Sequence, residues 1–152
     1  MVEKPNSDKN DNIDNALQLR DVPRELVGSE DESFMTILFG ELLDNMWIPE
    51  GTSEEKILLK INAAKETLRQ IAPQDGIEGM LAVQMASTHQ AAMECLRRAT
   101  VEDQTIQGRD TALKQGERFL RLYMDQVKAL GKHRGNGDQK MTIEHVNVAS
   151  GG

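Results

Sequence analysis

Apolar residues recur at helical spacing in four places along this chain, separated by polar or proline-bearing stretches. In the first, Asp31–Trp47, Phe34, Leu38, Leu42 and Met46 step by four, and Ile37 joins the same side. Ser29 or Asp31 is placed to cap it, Gly40 weakens it and Pro49 ends it. Its acidic residues and lack of Lys or Arg predict docking on the protein's own core rather than on an anionic membrane. The second opens at Thr52 or Ser53, with Glu54 and Glu55 in the first turn and capping-box spacing between Thr52 and Glu55. Ile57, Ile61, Ala64, Leu68 and Ile71 form its stripe and Leu58 widens it; Lys60, Lys65, Glu66 and Arg69 lie opposite, and Pro73 closes it.

The third segment, 77–100, is apolar almost all round. Leu81, Met85, Thr88, Ala92, Cys95 and Ala99 share one stripe; Met80, Val83, Ala91 and Met93 fill much of the rest. No charged residue occurs from Met80 to Met93, which predicts burial on several sides, at the centre of a bundle or in a subunit interface. In the fourth, Ile106, Arg109, Leu113, Gly116, Leu120, Tyr123, Val127 and Leu130 alternate at three and four, a heptad seam interrupted at Arg109 and Gly116. Gly116 marks a close contact or a bend, and Gly131 stands where a C-terminal cap glycine is expected.

Around these segments the organisation is a flexible acidic stretch over 1–30, a helical bundle over 31–131, and a basic loop with an extended tail over 132–152. Asp21–Gly28 is expected to hold one helical turn. Met141–Val148 is rich in β-branched residues and reads as a strand with no second strand to pair with. It must stay solvated, pair with the same segment of another copy, or add to a partner's sheet.

Composition supports the all-α reading, a small bundle of three to four helices. Aromatic residues make up only 3%, so the core is built from Leu, Ile, Met, Val and Ala. The net charge of −7 is uneven: residues 1–60 hold 6 Lys/Arg against 14 Asp/Glu, and residues 105–140 hold 8 against 4. Overall acidity opposes coating of long nucleic acid, whereas opposite signs at the two ends favour head-to-tail contact between copies. The single cysteine, Cys95, excludes an intramolecular disulfide, and neither a signal sequence nor a bilayer-length apolar run is seen, so a cytoplasmic protein without membrane contact is expected.

Candidate chemistry is sparse. His89 and Cys95 stand about 240° apart around a helix and cannot share a metal. Cys95 reads as a small core residue, and acid pairs such as Glu54/Glu55 sit at helix starts. No catalytic, metal or cofactor residue is assigned, and a non-enzymatic protein is expected. Lys128, Lys132, His133, Arg134 and Lys140 could clasp phosphates or complement the dipole at the end of the preceding helix; aromatic side chains for base stacking are missing nearby.

The run GMLAVQMASTHQAAMECLRRATVEDQTIQGRD, followed by KALGKHRGNGDQKMTIEHVNV, resembles a family of small uncharacterised proteobacterial proteins. Members combine an ALNRYRGKG-like loop with a QKVTVEHVHV-like tail. The matching residues are Ala129, Leu130, His133, Arg134, Gly135, Gly137, Gln139, Lys140, Thr142, Glu144, His145 and Val146, while Asn147 replaces a second histidine. The likeness covers residues 79–152 and implies no defined activity. The functional expectation is a helical scaffold that self-associates through Met80, Val83, Ala91, Leu113, Leu120 and Val127, and through Ile143, Val146 and Val148 of the tail, which could also take a partner protein. The alternative is an accessory protein, of a phage or mobile element, that binds nucleic acid through 128–140.

Overall fold

A computed structural model describes residues 24–135. Most of the acidic N-terminal segment, Lys140, and the strand-like tail with Ile143, Val146 and Val148 lie outside the described residues. Within them the chain is all-α. A 3-10 turn, Arg24–Leu26, precedes α1 (Glu32–Asp44), α2 (Glu54–Ile71), α3 (Gly76–Ala99) and α4 (Ile106–His133).

Local chemistry explains the helix ends. Asp31 caps α1 by accepting from the Phe34 amide at 2.7 Å, Asp75 caps α3 by accepting from Glu78 at 2.9 Å, and Thr105 caps α4 by accepting from Gly108 at 3.0 Å. At α2 the expected Thr52–Glu55 capping box does not form. Ser53 holds the cap position without a side-chain bond, and the Thr52 hydroxyl donates instead to the Pro49 carbonyl at 2.6 Å. The C-terminus of α2 turns at Ala72, whose left-handed backbone (φ 51°) precedes Pro73. Gly131 is not a cap, because α4 runs on to His133 and Gly135, at φ 77°, takes the left-handed position instead.

Helix α3 lies at the centre. One of its stripes, Met85, Thr88, Ala92, Cys95 and Ala99, is buried, and contacts at Thr88 and Cys95 place it against the antiparallel α4. A second stripe, Ala82, Val83 and Ala86, belongs to the main core with Leu38, Phe39 and Leu42 of α1, Ile61, Ala64 and Leu68 of α2, and Leu26 and Val27. The fold places this helix, uncharged from Met80 to Met93, at the centre of the bundle, with Met80 and Met93 left exposed. Burying each large side chain such as Phe39 or Leu68 contributes about 1.5–3 kcal/mol. Ile37 is exposed, not part of the apolar face: the buried arc runs through Leu38, Phe39 and Leu42, and Ile37 lies about 100° behind Leu38.

Two glycines let the N-terminal turn lie on the α2–α3 corner. Gly28 has φ 65° and passes the backbone of Asp75, and at Gly79 a Cβ would sit 2.1 Å from the Val27 carbonyl oxygen. Leu26 and Val27 are completely buried, so this segment cannot retreat without exposing them. Gly79→Ala is therefore expected to lower stability by about 2–3 kcal/mol in urea unfolding. In contrast Gly40→Ala, where a Cβ meets nothing within 4 Å, should gain up to about 1 kcal/mol.

Candidate functional site

Helix α4 is 28 residues long, about 42 Å, and α3 is its main partner. Its buried positions are Ala112, Gly116, Gln126 and Leu130, with Phe119 and Tyr123 half-buried between them. That face keeps Gly116, Tyr123 and Leu130 of the seam read in the sequence, but Ala112, Phe119 and Gln126 take the places of Leu113, Leu120 and Val127, one residue earlier. At Gly116 the two helices approach closely, since a Cβ there would touch Cys95 and Leu96 at 3.4 Å, so around this crossing the face is small, at Ala112 and Gly116. The larger apolar residues are displaced to its flank. Leu113 (47% exposed), Leu120 (38%) and Val127 (38%) form a row at seven-residue spacing, with Met124 beside it and Ile106 at its start. Leu122 is exposed on the other flank.

The far end of α4 closes on the α2–α3 corner. Arg134 donates through Nε to Glu78 Oε1 (3.0 Å) and through an amino group to Glu78 Oε2 (2.7 Å). The same amino group reaches the Ile71 and Ala72 carbonyls at 2.9 and 3.0 Å, serving the open C-terminus of α2. Glu78 Oε2 also accepts from the Gln74 amide at 2.8 Å. Next to this clasp, His133 Nε2 donates to Asp75 Oδ2 at 2.7 Å. The Glu78 side chain is only 3% exposed, a burial tolerable for a carboxylate because the bidentate guanidinium and a backbone amide satisfy it.

Asp75, Glu78 and His133 offer ligand atoms within 4.8 Å of one another, the spacing of a metal trio. Both Glu78 oxygens, however, face Arg134, and both Asp75 oxygens accept hydrogen bonds, from the Glu78 amide and His133. A cation would have to displace the guanidinium. The geometry is that of a structural clasp.

Two clefts flank α3. One, of about 380 Å³, is lined by Met46, Trp47, Ala63, Met93 and polar groups, several of them engaged. Lys60 donates to the Trp47 carbonyl and Thr67 to the Ala63 carbonyl. Glu94 is held by Arg97 and Arg98, Arg97 foremost, which bring its pKa down to about 2. The other, a groove of about 800 Å³ between α1 and α4, has Glu41 and Asn45 on one wall, Phe119 and Leu122 on the other, and Val83, Ser87 and Ala91 in its floor. Ser87 Oγ and Gln126 Oε1, both lining it, have no hydrogen-bond partner.

The sequence-nominated residues fall into distinct places. Leu113, Leu120 and Val127 share one exposed row, Met80 is exposed, and Ala91 is half-buried in the groove. Val83 is buried in its own chain's core, which uses the side chain nominated for self-association. Of the cations, Arg134 and His133 are committed to carboxylates, Lys128 pairs with Asp125 on the surface at 3.1 Å, and Lys132 is exposed. Rather than serving α4's own end, Arg134 serves the end of α2. The sequence reading missed Asp75 and Glu78. Their Asp-x-x-Glu spacing is a capping-box signal that could have located the acceptors, but nothing local links them to residues 133 and 134. No family model matches the chain, and no curated protein or solved structure is similar to it.

The clasp makes stability depend on pH from both sides. Arg134 holds the Glu78 carboxyl below its usual range, and the Glu78 amide, then His133, do the same for Asp75. Their contribution is present above the ordinary carboxylate range and is lost as pH falls through the lowered folded values. His133 is raised, chiefly by its hydrogen bond to Asp75. Its contribution is complete below about pH 6.5 and is lost as pH rises through the raised folded value. Denaturation across pH should show both limbs, with His133→Gln abolishing the alkaline one. Arg134→Met should cost about 2 kcal/mol, reduced from a fully buried pair by the partial exposure of Arg134. Adding Glu78→Gln should restore part of it by removing the stranded charge.

Proposed function

We propose that this chain is a non-enzymatic helical scaffold that self-associates through α4. The observation that carries the reading is the exposed row Leu113, Leu120 and Val127, spaced for contact with another helix, on an element packed mainly against α3. A heptad row of large aliphatic side chains left in water costs free energy that a second helix recovers by covering it. The clasp supports this reading indirectly: by fixing the C-terminal end of α4 to the α2–α3 corner it helps present the row on a rigid rod, which lowers the ordering cost of association.

Nucleic-acid contact through 128–140 is the weaker reading. Two of the cations it relied on, His133 and Arg134, are spent inside the chain, and the site lacks a stacking platform. No helix among the described residues is long and apolar enough to cross a membrane.

Light scattering across a concentration series tests the proposal. The wild-type chain should run above its 17.0 kDa monomer mass. Leu120→Glu should weaken association at least about 10-fold, because it replaces an apolar contact by a carboxylate that the interface would have to desolvate. Its helicity should be unchanged, because Leu120 is outside the core. A chain ending at Gly135 keeps the clasp and the row and should still associate, more weakly if the tail adds contacts. A monomeric wild type at all concentrations would refute the proposal.

A further inference from the structure

We infer that the contact is head-to-tail: the Leu113–Leu120–Val127 row of one copy seats in the groove between α1 and α4 of the next. This rests on the self-association reading and adds which surfaces meet. The row and the groove lie on opposite flanks of α4, since Phe119 and Leu122 form a groove wall while Leu113, Leu120 and Val127 project from the other side. They are two different surfaces, the row aliphatic and the groove with apolar walls at Phe119, Leu122 and Ala91 beside polar groups, and one molecule cannot bring them together.

Charge selects the occupant. Helix α1, on the groove's rim, contains Glu32, Glu41 and Asp44 and no Lys or Arg, and none of the three makes an ion pair with a described residue. Helix α4 has six Lys/Arg against three carboxylates. Those carboxylates are already engaged, Asp110 by Lys114, Glu117 by Arg121 and Asp125 by Lys128. Arg109, Arg118 and Lys132 are left without an acidic partner among the described residues. Arg109 lies one turn before Leu113 on the same side of the helix, so a seated row carries a cation toward the acidic rim. Pairing the row with itself would instead set two basic helices side by side.

Ser87 and Gln126 lie in the groove's lining with their side-chain oxygens enclosed beneath the surface, and Gln126 donates its amide to Thr88 at 3.2 Å, so the floor is already built without an occupant. Seating the row between Phe119, Leu122 and Ala91 covers the remaining exposed apolar walls.

Complementation separates this arrangement from any symmetric one. Leu120→Glu destroys the row and keeps the groove; Ala91→Arg fills the groove with a cation and keeps the row. Each variant alone should be monomeric, and an equimolar mixture should form a dimer of twice the 17.0 kDa mass that cannot grow. Glu41→Lys, a surface change on the rim, should weaken wild-type assembly at least tenfold and serves as a second groove variant if Ala91→Arg lowers helicity by circular dichroism. Assembly should also weaken as salt rises from 50 to 500 mM. The inference is overturned if Ala91→Arg and Glu41→Lys each associate like wild type, which is row-to-row pairing, or if the folded variants do not complement. A monomeric wild type overturns the self-association reading itself, and a wild type that assembles without complementation overturns only the head-to-tail geometry.

Discussion

Close approach to α3 depends on the small residues Gly79, Ala82, Ala86, Ala92, Cys95 and Ala99 among its contact positions. Gly79 lets the Val27 backbone lie on the helix, Ala82 and Ala86 admit α1 and α2, and Ala92, Cys95 and Ala99 admit α4 against Gly116. Small contacts bring backbones together and fill space well, but each buries little apolar area. Helix α3 therefore satisfies two neighbouring surfaces at once without storing much hydrophobic free energy at either. The large side chains of the fold gather in the α1–α2 core, where Phe39, Leu42 and Leu68 are almost wholly enclosed. Across α3 no comparable set remains to cover α4.

That shortage explains why the end of α4 is held by charge. Leu130 is the last buried apolar residue of the helix, and beyond it His133 and Arg134 reach the α2–α3 corner through hydrogen bonds. Arg134 answers three needs at one point: a buried carboxylate, and the last carbonyls of α2 at Ile71 and Ala72. A lysine could supply the charge but not the planar, multidentate geometry. The cost is sensitivity to acid, which neutralises the acceptors, and to alkali, which neutralises His133.

The helices were legible from apolar spacing, because a stripe of Ile, Leu and Ala such as that of α2 has one physical reading in water. The tight role of Gly116 and the burial of Cys95 were legible for the same reason: residues that small in a helix face imply a close neighbour. The phase of α4 was not legible. Hydrophobicity ranked Leu113, Leu120 and Val127 above Ala112 and Gln126, but near the Gly116 crossing small size favours Ala112, and Gln126 can be enclosed because Thr88 accepts its amide. Nor could the clasp be read, since its halves are 56 and 58 residues apart and meet only after α3 and α4 have packed. The same limit applied to the groove, whose walls come from α1 and α4.

The displaced row and the groove have one origin. A helix that turns Ala112 and Gly116 to α3 carries Leu113, Leu120 and Val127 to one side, and on the other side it leaves space against α1 that no side chain of its own fills. Had α4 been rotated by one residue, Leu113, Leu120 and Val127 would lie nearer α3, and Gly116 would move away from Cys95, the contact that sets the helix spacing. The close α3–α4 crossing and the exposed row are thus alternatives to a wider, self-sufficient bundle. Because the two surfaces differ in shape and charge, mutual pairing of identical rows recovers only one of them, whereas row against groove recovers both and brings the basic helix beside the acidic one.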